Sequence, residues 1–146
     1  MAASVIEQAL ARMATVLAVG VPAVAGRVYR GRVDALGDTE LPALVLSRGA
    51  TAHESLGDSS ERIDLDLHVH CFGAGAAWET VVDDLAVTAD AALQADAQVA
   101  NLCNDLRLRA TEAEGAAGTR GPVGRLTLKY ETFFATPLGL MSAVLP

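Results

Sequence analysis

Asp64, Asp66, His68 and His70 form the one cluster in this chain whose residue types and spacing could do chemistry. Side chains on a β-strand point to opposite faces with period two, so residues two apart share a face, with Cα atoms roughly 6.6–7 Å apart. At that spacing the imidazoles of His68 and His70 can reach a single metal ion, and Asp66 can add an oxygen ligand. A metal site needs a ligand from a second segment as well. His53 is the only other histidine, and its polar surroundings give it no evident geometry toward the pair. The competing reading is a solvated strand face, which alternating Asp and His produce without further assumption. That reading is preferred, and no metal or other cofactor is expected.

The element that must hold these groups is the stretch 62–72, RIDLDLHVHCF. Ile63, Leu65, Leu67, Val69 and Cys71 alternate without a break against Arg62, Asp64, Asp66, His68 and His70. This is the pattern of a half-buried strand with one apolar and one polar face. Around it, 146 residues with 51% apolar content predict one domain, 1–146, with an ample core. A net charge of −7 argues against nucleic acid as a high-affinity partner, because phosphate binding needs a basic face. The charge is uneven. Between Arg62 and Arg107 there is no Lys or Arg, yet Asp64, Asp66, Glu79, Asp83, Asp84, Asp90, Asp96 and Asp105 all fall there. Basic residues gather instead at Arg27, Arg30 and Arg32. Cys71 and Cys103 follow no metal-binding or redox spacing, and Cys71 lies on the apolar side of its strand as a buried thiol.

Two helices are legible. Ile6, Leu10, Met13 and Leu17 recur as the stripe of an amphipathic helix over 4–19, with Ser4 and Glu7 as a capping box and Gly20 and Pro22 as its stop. That stripe outweighs a signal-peptide reading of the apolar LAVGVPAVA, and no apolar run reaches the ~20 residues of a membrane span. A second helix over 76–94 puts Trp78, Val81, Val82, Leu85, Ala89, Ala92 and Leu93 on one stripe, with Glu79, Asp83, Asp84 and Asp90 largely outside it. Trp78 reads most simply as a core anchor. Strands are predicted at 27–33, 43–48, 62–72, 105–112 and 124–135. The stretch 49–61 is either a loop or a strand end turning at Gly57-Asp58. Residues 113–123, rich in Gly and Ala, are expected to form a mobile hairpin arm with too few large side chains to pack. The order α-β-β-β-α-β-β predicts an α+β domain of two layers: a mixed or antiparallel sheet of about five strands on two main helices.

Enzyme signatures are missing from the sequence. There is no nucleophile-elbow serine, no GK[ST] in the Gly-rich segment 115–124, and no GxGxxG opening a helix. Asp83 and Asp84 point in adjacent directions on a helix rather than converging on a bond. Arg27, Arg30 and Arg32 are expected to serve salt bridges or subunit contacts rather than nucleic acid. The alternative from another class remains a small metal-dependent enzyme using His68, His70 and Asp66.

The layout as a whole resembles the tail-terminator, or tail-completion, proteins of long-tailed, lambda-like bacteriophages. The resemblance rests on the N-terminal helix, RVYRGRV, LPALVLSRG, the strand RIDLDLHVHCFG, the helix AAWETVVDDLAVTADAALQAD and the closing GRLTLKYETFFAT, and covers 4–136. It implies a non-enzymatic virion protein, assembled in the bacterial cytoplasm, from a phage, a prophage or a gene-transfer agent. Copies would form a ring, typically a hexamer, that caps the tail tube, ends its polymerisation and meets the neck or head-completion protein. DNA would pass through without specific binding, and no membrane would be involved. A neck protein of the same virion is the related alternative. Contact residues expected on this basis are Arg27, Arg30, Arg32, Asp64, Asp66, His68, His70, Asp83, Asp84 and Arg120. The apolar C-terminal stretch GLMSAVLP is expected either to dock on a neighbour or to be frayed.

Overall fold

The computed structural model describes residues 3–32, 36–57, 59–118 and 120–137. Helix α1 (Val5–Gly20) starts where Ser4 accepts the Glu7 backbone N–H at 3.1 Å, and it buries Ile6, Leu10, Met13 and Leu17. The cap satisfies one of the orphan donors at the helix start, and the 3.6-residue stripe supplies the packing face. After α1 come β1 (Val28–Arg30), β2 (Ala43–Ser55), β3 (Ser60–Ala74), α2 (Trp78–Ala95), α3 (Ala97–Leu102), β4 (Asn104–Gly118) and β5 (Gly121–Pro137). The sheet order is β1-β2-β3-β5-β4, parallel between β1 and β2 and antiparallel elsewhere. This is the expected α+β arrangement. No helix among the described residues is long and apolar enough to cross a membrane.

Alternation decides which face is covered. Ile63, Leu65, Leu67, Val69 and Cys71 of β3 point to the helices with Leu44, Leu46, Leu128, Tyr130 and Phe134, and all are buried. Helix α2 crosses this face and packs Val82, Leu85, Ala89 and Leu93 onto it. Helices α1 and α2 approach so closely that a Cβ on Gly20 would lie 2.8 Å from the Ala92 methyl. Arg12 clasps Asp96 at 2.8 and 3.1 Å, joining α1 to α3, while Asp96 also caps α3 through the Val99 N–H. These donors hold the Asp96 carboxyl down at about 2, the guanidinium contributing most.

Several boundaries differ from the sequence expectation. Strand β1 spans Val28–Arg30, shorter than the expected 27–33, because the chain turns away from β2 at Gly31, φ +58; Val33 lies outside the described residues. The stretch 49–61 takes the strand-end form of its two expected alternatives: β2 runs on to Ser55 past a bulge between Arg48 and Thr51, and β3 begins at Ser60. Helix α3 was not anticipated; six residues hold too little periodicity to read.

The Gly- and Ala-rich segment is regular β-hairpin rather than an unpacked arm. Strands β4 and β5 stay paired out to Gly118 and Gly121, and β3 joins them through Gly73 and Ala74. Its glycines are the seat of Trp78. A Cβ on Gly124 would lie 1.8 Å from the indole, and one on Gly115 2.6 Å from it. The segment packs because it lacks side chains: the tryptophan from the first turn of α2 supplies the bulk.

Candidate functional site

The polar face of β3 lies between Ser47 of β2 and Thr127, Lys129 and Glu131 of β5. The sequence placed Asp64, Asp66, His68 and His70 in one row, and the sheet keeps them there, but each is turned to a different task. His70 is clamped by hydroxyls on both sides, 2.9 Å from Thr127 Oγ1 through Nδ1 and 3.2 Å from Ser47 Oγ through Nε2. A neutral imidazole satisfies such a pair with one N–H donor and one lone-pair acceptor. Burial, then the Arg125 charge and His68, hold its pKa down at about 4. Both ring nitrogens are thus committed, which works against a role as a metal ligand. His68 stands between Ser47 and Lys129 and meets the His70 ring edge-on at 5.8 Å. Asp64 accepts from Arg62 at 3.0 Å, and that guanidinium lies 3.9 Å over the Phe133 ring. Asp66 is exposed opposite Glu131. His53 lies on the outer part of β2 opposite Ile63 and pairs with Glu61. Among the described residues no three His, Cys, Asp or Glu side chains gather as a metal-holding group.

Arg27, Arg30 and Arg32 do not form an open basic patch. Arg30 makes a two-pronged pair with Glu7 of α1 at 2.6 and 2.7 Å, which lowers the Glu7 pKa. Arg32 pairs with Glu40, whose carboxyl is held near about 2, and its guanidinium lies 4.8 Å over the Tyr29 ring. Arg27 donates to the Pro42 carbonyl at 2.9 Å. The three arginines fasten β1 and the 36–42 connection to the body of the domain. Asp83 and Asp84 are exposed on the outer side of α2 and Arg120 is exposed at the β4–β5 turn. Asp90, expected with the solvent-facing acids, instead accepts the Tyr130 hydroxyl at 2.7 Å. Burial, then this bond, raises the Tyr130 pKa. Cys71 and Cys103 are buried free thiols pushed up to about 12 and 11 by desolvation, far from the thiolate state a nucleophile needs.

What the sequence did not reveal is the pair of open sheet edges. Strand β4 is 15 residues long, exposed along nearly its whole length, and among the described residues pairs only with β5. On the other side β1 covers β2 only as far as Leu46, leaving the outer edge of 47–55 without a strand beside it among the described residues. Cross-strand ion pairs decorate the first edge: Glu112 with Lys129 at 2.8 Å, Glu114 with Arg125 at 2.5 Å and Arg109 with Glu131 at 3.5 Å. The charges in 105–114 hint at an edge, since strands that must avoid indiscriminate pairing carry them. No protein-family model matches this chain, and no curated protein matches its sequence.

Proposed function

We propose that this chain is a structural assembly subunit that closes into a ring, as its resemblance to phage tail-terminator proteins implies. In this role it caps a tail tube, stops further addition of tube subunits and offers a surface to the neck or head-completion protein. The observation that carries the reading is the pair of unlike open edges at opposite sides of one sheet, along β4 and along 47–55 of β2. A ring needs two different complementary patches on each subunit, because identical patches close only as dimers. Unpaired strand edges are such patches, each with a row of backbone N–H and C=O groups aimed outward. The exterior of α2 adds a second argument. It carries Glu79, Asp83 and Asp84 with no cation in the helix, a surface that repels phosphate and so lets DNA pass without being held.

Light scattering of the purified chain, followed by negative-stain imaging, tests the reading. The expected result is a discrete oligomer with a central hole, alone or once tube protein is added. A chain that stays monomeric at every concentration and ignores tube ends overturns it.

A further inference from the structure

On the open face of the sheet, at the end where β4 and β5 turn, lies a groove of about 430 Å³. Leu36, Leu41, Phe72, Ala116 and Val123 give it apolar walls, and the Glu114–Arg125 pair marks its rim. The chain also holds an apolar segment outside the described residues: 138–146, LGLMSAVLP, which carries no charged side chain. Its point of departure is at the other end of the sheet, for Pro137 is the β5 partner of Ser60 while Phe72 is the partner of Arg125.

Length decides whether the two can meet within one copy. Arg125 to Pro137 is about 40 Å of strand at roughly 3.3 Å per residue. Residues 138–146, fully extended, reach about 30 Å, and residues seated in a groove contribute little to reach. The segment therefore cannot lie in the groove of its own chain. A second copy stacked end to side meets no such limit.

We infer that the groove between the 36–41 connection and the β4–β5 hairpin receives residues 138–146 of a neighbouring copy. The inference rests on the ring reading and deepens it, because a donor segment at one end and an acceptor groove at the other make a head-to-tail joint. Leu138, Leu140, Met141, Val144 and Leu145 supply apolar area for walls that are otherwise wetted, and burial of that area drives the contact. The groove shares Ala116 with the β4 edge, whereas residues 138–146 belong to neither edge strand, so a change in the segment breaks the joint without altering an edge.

The test uses full-length protein and two variants: Ala116→Arg, which puts a charge in the groove from an exposed position, and Leu140→Asp with Leu145→Asp, which charges the segment. Each variant alone should weaken self-association at least about tenfold, the equivalent of ~1.4 kcal/mol. Mixed together they should associate more strongly than either does alone, since one keeps its groove and the other its segment. A fluorescein-labelled LGLMSAVLP peptide should bind the Leu140→Asp/Leu145→Asp chain and not the Ala116→Arg chain, with circular dichroism melts confirming that both are folded. A ring unaltered by either variant overturns the joint and leaves the ring reading standing. Open chains or dimers dissolved by the variants support the joint and count against the ring. Peptide that binds both chains alike, or neither, overturns the joint.

Discussion

The two faces of the central sheet are built from the same strands and differ by a single residue step. Phe133 and Phe134 are chain neighbours. Phe134 is fully buried under the helices, whereas Phe133 lies on the open face beneath the Arg62 guanidinium. On the covered face most side chains are aliphatic or aromatic; Tyr130 donates to Asp90 and Thr132 to the Asn104 carbonyl, while the buried Thr136 hydroxyl has no partner among the described residues. On the open face the same spacing carries ion pairs, hydroxyls and two imidazoles. The difference teaches that the covered face carries most of the fold's stability, while the open face is held at fewer points. Ala43, Val45 and Thr127 are buried there, and His70 is an ionisable group sunk among them.

The sharpest way to break the comparison is to cut the two phenylalanines in turn. Phe134→Ala should cost about 3–5 kcal/mol and Phe133→Ala about 1 kcal/mol or less, read as shifts in urea midpoint. Equal costs would mean that something covers the open face too. Next in size, Gly124→Ala drives a methyl into the Trp78 ring and should cost about 3 kcal/mol, whereas Gly→Ala at an uncrowded strand position should stabilise by about 0.5–1 kcal/mol.

His70 gives a pH signature. Its folded pKa, about 4, lies below the unfolded value near 6.5, so the unfolded chain binds the extra proton first. The contribution is therefore complete above pH 6.5 and is lost as pH falls from there toward 4. Discounted for partial solvent screening, that amounts to ~1–2 kcal/mol. Urea melts at pH 7 and pH 4.5 on wild type and His70→Asn should show the wild-type loss shrinking in the variant. Smallest of all, Glu114→Gln on the open rim should shift stability by no more than about 0.5 kcal/mol, and less in high salt.

The covered face was legible in the sequence and the open one only in outline. Period two in 62–72 and the α1 stripe each pit apolar against polar residues, so their outcome follows from local pattern. The outer part of β2 is exposed on both faces and that of β4 is Gly and Ala, so neither sets apolar against polar residues in a readable period. The Asp/His row was visible as a row. Its chemistry was not, because the hydroxyls that clamp His70 come from Ser47 and Thr127, 23 and 57 residues away. Strand register brings them in, and register is a property of the assembled sheet. The arginines tell the same story: Arg30 finds its carboxylate on α1, 23 residues back.

Trp78 is the chain's single tryptophan, and its ring presses on Gly115 and Gly124 of the terminal hairpin. Its intrinsic fluorescence consequently reads the seat between α2, the hairpin and the neighbouring core. Lifting of the hairpin off α2 would expose the indole to water and shift its emission to the red while the far-ultraviolet signal of the helices stays intact. A label-free optical gauge of that single hinge point is thus already built into the molecule.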